Sequence, residues 1–214
     1  MRKVLGKLYN DLLKEPLYIL FHPIKGFDEF KFYGMGKFYV ANVFLILACL
    51  LRVISYNGEG FLINKNNPNQ FNAIVLVLFI LVPVVILTFA NWSVTTLFDG
   101  KGKLKEIYMM ICYCLFPYIL IGYPNLLLSN VLTLEEMSFY TMLSGLSIFA
   151  LCYMAFFGLI GIHEYSVGKT ILTIIATVVA AAIIIFIFML FFTLIQNMFG
   201  FIAQVIEELK IKML

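Results

Sequence analysis

Charge is scarce in this chain: Asp, Glu, Lys and Arg make up only 13% of its 214 residues, about half the share usual in a soluble domain. Three aspartates and two histidines are all it carries, and that poverty removes most catalytic arrangements. An intramembrane protease needs paired Asp, or a Ser beside a buried base, at membrane depth. Asp11, Asp28 and Asp99 lie outside the apolar segments or at their ends, and Ser144 and Ser147 have no base near them in sequence. His163-Glu164 begins like a zinc-protease helix, but that pattern needs a second His four residues on, where Val167 stands. Gly168-Lys169-Thr170 ends like a phosphate-binding loop, yet the Gly required five positions before Gly168 is His163. No catalytic, cofactor-binding or metal-binding residue is assigned, and no cofactor is expected.

Other absences narrow the class further. The net charge of +3 comes without an Arg-rich stripe beside base-stacking aromatics, which excludes nucleic acid as a partner. All four cysteines, Cys49, Cys112, Cys114 and Cys152, fall in apolar stretches, whereas disulfide frameworks belong in exposed loops. They are expected to be free thiols that serve packing. No small-residue cleavage site precedes the first long apolar run near Phe38, so the first apolar helix is expected to persist in the mature protein. Arg2 occupies the place of the Gly needed for myristoylation, and no internal repeat of the transporter kind is present.

What is abundant is apolar surface. Hydrophobic residues reach 63%, with 22 Phe and 12 Tyr, and mean hydropathy is +0.99. A soluble core of this size cannot hide so much, so the fold class is all-α: a polytopic membrane bundle with lipid as the outer solvent. Hydropathy separates five spans: Phe38 to Tyr56, Phe71 to Phe98, Ile107 to Leu128, Phe139 to Ile162 and Thr170 to Phe199. Each meets the roughly 20 residues that a ~30 Å hydrocarbon core requires. Pro83, Pro117 and Pro124 are expected to bend their helices, and Gly122-Tyr123-Pro124 is the expected break in the third. Gly100 and Gly102 are expected to permit the reversal between the second and third. Asn91 is the deepest strong hydrogen-bonder, suited to a bond between helices or to lining a pathway.

Three regions follow: residues 1–37, basic and interfacial; 38–199, the five spans; and 200–214, an amphipathic helix. In the first, Val4, Leu5, Leu8, Leu12 and Leu13 recur at helical spacing among Lys3, Lys7, Asp11 and Lys14. This reads either as a helix lying in the interface or as one packed on the bundle's own loops. His22-Pro23 and Gly26 are expected to interrupt the helical pattern, and Phe27, Phe30 and Phe32 to keep the chain at the membrane surface until the first span. In the last region, Phe201, Ile202, Val205, Ile206, Leu209 and Met213 form an apolar face expected to lie along the outer surface. Basic residues set orientation. Arg2, Lys3, Lys7, Lys14, Lys25, Lys31, Lys37, Lys101, Lys103, Lys105 and Lys169 fall on one side; Arg52, Lys65, Lys210 and Lys212 fall on the other. The N-terminus is therefore expected in the cytoplasm and the C-terminus opposite.

The most distinctive cluster is Asn91-Trp92, then Thr95-Thr96-Leu97-Phe98-Asp99-Gly100-Lys101-Gly102, then Tyr113 and Pro117. With five spans and an approach through His22-Pro23 and Phe27, it resembles the Yip family of Ypt/Rab-interacting membrane proteins, in its bacterial branch. For eukaryotic members the resemblance implies vesicle trafficking, binding of prenylated small GTPases and membrane shaping. This chain is expected to lack their long cytoplasmic N-terminal region, and it has no Asp-Leu-Tyr-Gly-Pro stretch. For some bacterial members it implies company with transport systems. The expected function is a non-enzymatic protein of the bacterial plasma membrane that organises membrane or scaffolds a partner. Its expected partners are anionic lipid headgroups at the N-terminal segment, and a membrane protein or a second copy. The alternative is a transporter or an accessory subunit of one.

Overall fold

A computed structural model describes residues 2–212, and no strand occurs among them. Four apolar helices are α4 (Phe38–Gly58), α5 (Ala73–Leu97), α8 (Met137–His163) and α9 (Val167–Lys212). The remaining span is double: α6 (Leu104–Cys114) and α7 (Phe116–Leu128) follow one another across the bundle. Five helical segments are thus long and apolar enough to cross a membrane. They are apolar around most of their circumference, as lipid-facing helices must be. Asn72 caps α5 by accepting from the amides of Ile74 and Val75, which gives the span a sharp start after the polar loop.

The third span breaks, but at Leu115 rather than at Gly122 to Pro124. Pro117 has no amide hydrogen to offer the carbonyl of Tyr113, so the helix tightens there. The amide of Leu115 reaches back only to Cys112 O, at 3.2 Å. Pro124 sits inside α7 and Pro83 inside α5 without ending either. Gly122 serves a different need: a Cβ there would lie 2.5 Å from Leu51 Cδ2, so its smallness lets α7 approach α4.

The N-terminal segment also departs from expectation. It forms α1 (Arg2–Tyr9), a π-helical turn (Asn10–Lys14), α2 (Glu15–Phe21) and α3 (Pro23–Phe32). His22, with extended-side dihedrals, separates α2 from α3, but Gly26 interrupts nothing. Ile19, Phe27 and Phe30 are buried in the bundle core with Phe44, Tyr113, Met154 and Ile162. Only Phe32 is exposed. The physical reason is a groove on α8, where a Cβ at Gly161 would meet Phe27 Cβ at 2.7 Å; Phe27 buries its ring there instead of in lipid. Residues 15–32 are therefore part of the bundle. Lys37 fastens the segment to α4: its ammonium lies 2.7 Å from Asp11 and 2.8 Å from Glu15. Burial alone would raise the Asp11 carboxyl, but bonds from Lys37 and Tyr39 hold it below its ordinary value.

At the other end, α9 runs through position 200 without a break. At 1.5 Å per residue its 46 residues extend about 69 Å, more than twice the hydrocarbon core. Thr170, Thr173, Thr177 and Ala181, at helical spacing, are buried against the bundle. These small residues let α9 lie close to α5. Beyond Ala181 the helix is uncovered, and Phe201, Ile202, Val205 and Ile206 are exposed. Of the other two residues expected on the C-terminal apolar face, Met213 lies outside the described residues, and the side chain of Leu209 is not described.

Candidate functional site at the basic end of the bundle

Two helices, α5 and α8, end at the basic end of the bundle and stop in the same way. In α5, Asp99 adopts a left-handed φ of 54° and the amide of Gly100 bonds Thr95 O at 2.7 Å. In α8, Glu164 adopts a φ of 56° and the amide of Tyr165 bonds Ile160 O at 3.2 Å. Both are Schellman-type endings, which satisfy carbonyls that the helix leaves open. Glycine is the usual occupant of the left-handed position; here both occupants are acidic. The reversal after α5 therefore turns on Asp99, and Gly100 and Gly102 serve another purpose. A Cβ at either would lie 2.7 Å from the His163 ring, on Nδ1 and Cε1 respectively. The glycines make room for the imidazole.

His163 is the hub. It is 1% exposed, its Nε2 lies 3.0 Å from Asn91 Oδ1, and its Nδ1 accepts from the Gly102 amide at 3.4 Å. Those partners select one tautomer: Nε2 carries the hydrogen and donates, and Nδ1 is bare. Asn91, 3% exposed, uses its other end to donate to Thr177 Oγ1 of α9 at 3.2 Å. Three helices are thus joined through one amide. Thr95 Oγ1 bonds back to Asn91 O at 2.7 Å, a local bond that keeps its hydroxyl satisfied within α5. Tyr165 stacks on His163 with ring centroids 5.2 Å apart, and its hydroxyl donates to Phe98 O at 2.9 Å. Burial, with the nearby Asp99 charge, pushes that hydroxyl above its ordinary value, so it remains a donor.

Charges close the assembly from outside. Glu164 pairs with Lys101 and, at 2.9 Å, with Lys31 of α3. Lys31 also donates to Ile162 O at 2.8 Å, one of the carbonyls left open at the end of α8. The hydrogen bonds from Lys101 and Lys31 hold the Glu164 carboxyl below its ordinary value. Lys169 lies over the Tyr165 ring, 4.4 Å from its centroid, a cation–π contact.

Of the residues singled out in the sequence, the structure gathers Asn91, Asp99, Gly100, Lys101 and Gly102 here. Trp92 and Leu97 face outward, 42% and 83% exposed. Tyr113 and Pro117 belong to the core instead. The Tyr113 ring meets Phe30 and Phe44 edge-on, and its hydroxyl accepts from the Lys37 amide at 3.1 Å. Pro117 marks the break in the third span. Sequence reasoning missed Lys31, Thr177 and Tyr165 as partners here, and it weighed His163 only within motifs that failed. One signal was available: a His closing a 27-residue apolar helix needs partners, and Asn91 was the deepest candidate. Among the described residues no three His, Cys, Asp or Glu gather as a metal site. The chemistry on display is fastening: Asn91, His163 and Tyr165 each bond to another helix or turn.

The Yip1 domain family model matches residues 17–200. That stretch includes every residue of the clasp at the basic end, from Lys31 to Thr177. No curated protein and no solved structure matches the chain. An all-helical bundle with five membrane-spanning segments, matched over most of its length, places the chain in the Yip1 domain family.

Proposed function

We propose that this Yip1-domain protein is a non-enzymatic membrane scaffold, whose basic end faces the cytoplasm of a bacterial cell and whose fifth span engages a membrane protein partner or a second copy. The observation that carries the reading is the uncovered length of α9. From residue 182 to 206 its side chains are exposed, apart from half-buried Ile184 and Ile195, while only its first turns dock on α5. An apolar helix of that length is suited to packing against another membrane helix, and Gln196, Asn197 and Gln204 offer interhelical hydrogen bonds.

The N-terminal end supports a second contact, with anionic lipid. Leu8 and Leu13 are exposed beside exposed Lys7 and Lys14, the pairing that holds an amphipathic helix at headgroup level. The rival expectation of transport draws no support from Asn91, since both ends of its amide are bonded to other helices.

Photo-crosslinking in native membranes tests the scaffold. A photoreactive residue at Phe188 should give a discrete protein adduct, and one at Phe44, buried in the core, should not. Adducts with lipid alone from every α9 position would overturn the reading.

A further inference from the structure

At the end opposite the clasp, α4, α7 and α8 enclose a polar cavity of about 220 Å³. Its wall includes Arg52, Glu59, Asn125, Tyr140 and Ser144. Two of these carry atoms with no partner. Asn125 is 4% exposed, and its Nδ2 donates to Tyr140 O at 3.2 Å and Ser144 Oγ at 2.9 Å. The Tyr140 carbonyl can only accept, so it fixes which way the amide points. That leaves Asn125 Oδ1 buried and unbonded. Arg52 Nε is likewise buried and unbonded, and among the described residues no carboxylate forms a salt bridge with Arg52. Its guanidinium lies over the face of Phe79, 5.3 Å from the centroid. Arg52 stands six residues before the end of α4, about 9 Å inside the span at 1.5 Å per residue. Charged groups at such depth are rare and face polar partners when they occur. Glu59, the carboxylate of the wall, already accepts from Tyr140 at 3.0 Å.

The unmet groups define a ligand. A guanidinium without an acceptor calls for an anion, and phosphate oxygens match its fork. A buried carbonyl oxygen without a donor calls for a hydroxyl or ammonium hydrogen. We propose that this cavity binds a phosphodiester that also carries such a donor: the headgroup of a membrane phospholipid, with its phosphate on Arg52 and its hydroxyl or ammonium on Asn125. The lipid is favoured over a soluble phosphodiester because the cavity opens between spans. Ile148, one of its lining residues, is exposed on the outer surface of the bundle, as is Phe79.

The test uses full-length protein, delipidated in mild detergent, and follows thermal stability and native mass with dihexanoyl phosphatidylglycerol or phosphatidylethanolamine. A stabilising shift and a retained lipid adduct are expected. Arg52→Met should weaken binding about tenfold or more, the loss of a charge-assisted bond, and Asn125→Leu should weaken it by a smaller factor. Lys7→Gln with Lys14→Gln, at the other end, should leave it unchanged. Should Arg52→Met fail to fold, Asn125→Leu decides alone. Unaltered affinity in Asn125→Leu or in a folded Arg52→Met, or no shift with either lipid, overturns the proposal. Equal binding of the deacylated headgroup, glycerophosphoglycerol, would overturn the lipid source and assign the site to a soluble phosphodiester.

Discussion

His163 and Asn91 form a pair in which each is the other's main reason to be buried. Removing one leaves the other unsatisfied, at a cost of about 1–3 kcal/mol. A double-mutant cycle separates that penalty from lost packing. Asn91→Leu and His163→Phe should each lower the thermal stability of the detergent-solubilised protein, and the double variant should lose less than the two single losses together. Strict additivity would show that the 3.0 Å contact is incidental. Gly102 gives a second residue-level expectation. Because an added Cβ would meet Ile162 Cγ2 at 2.6 Å as well as the His163 ring, Gly102→Ala should cost about 1–3 kcal/mol by overpacking. Gly145, where a Cβ meets nothing within 4 Å, is the control: Gly145→Ala should be neutral or stabilising, since alanine favours the helix.

Among the elements, α3 is tied to the end of α8 by the packing of Phe27 and by an ion pair that titrates. The Glu164 carboxyl is held below its ordinary value by Lys101 and Lys31. A carboxyl depressed in the folded state contributes stability that is fully present above its unfolded value, about 4.3 for glutamate. That contribution is lost as pH falls through the lower folded value. Hydrogen exchange of the α3 amides should therefore accelerate below about pH 4, and Glu164→Gln should show the faster exchange already at neutral pH. Exchange in α3 that ignores both changes would mean that Phe27 and Phe30 hold the helix unaided. The same element scale explains the third span. Three prolines were visible as possible interruptions, but only Pro117 coincides with a break, because at Pro124 and Pro83 the surrounding helix continues.

For the molecule as a whole, the clasp and the cavity lie at opposite ends of one bundle, and their sidedness follows from charge. Eleven Lys and Arg accompany the clasp end, against four at the other, which predicts that the clasp end is cytoplasmic. In a variant without the native cysteines, a cysteine at exposed Asn66 should react with a membrane-impermeant maleimide in intact cells. A cysteine at exposed Lys101 should react only after lysis; the reverse pattern would invert the proposed topology.

Much of this architecture was present in the amino-acid sequence, because the requirement to match a ~30 Å apolar layer with apolar helices acts on composition and run length alone. Five spans and their approximate limits follow from that constraint, and short motifs single out residues 91–102. The sequence could not show which polar groups would meet. Lys31 and Glu164 are 133 positions apart and Asn91 and Thr177 are 86 apart, and no local pattern records such pairings. Nor could it decide between lipid and protein for the Phe27 and Phe30 rings, since both solvents are apolar and only the groove at Gly161 tips the balance. The tertiary structure decided these points by bringing distant backbones to within hydrogen-bonding range. It also turned a lone histidine into the centre of the clasp and set Arg52 in the wall of a polar cavity.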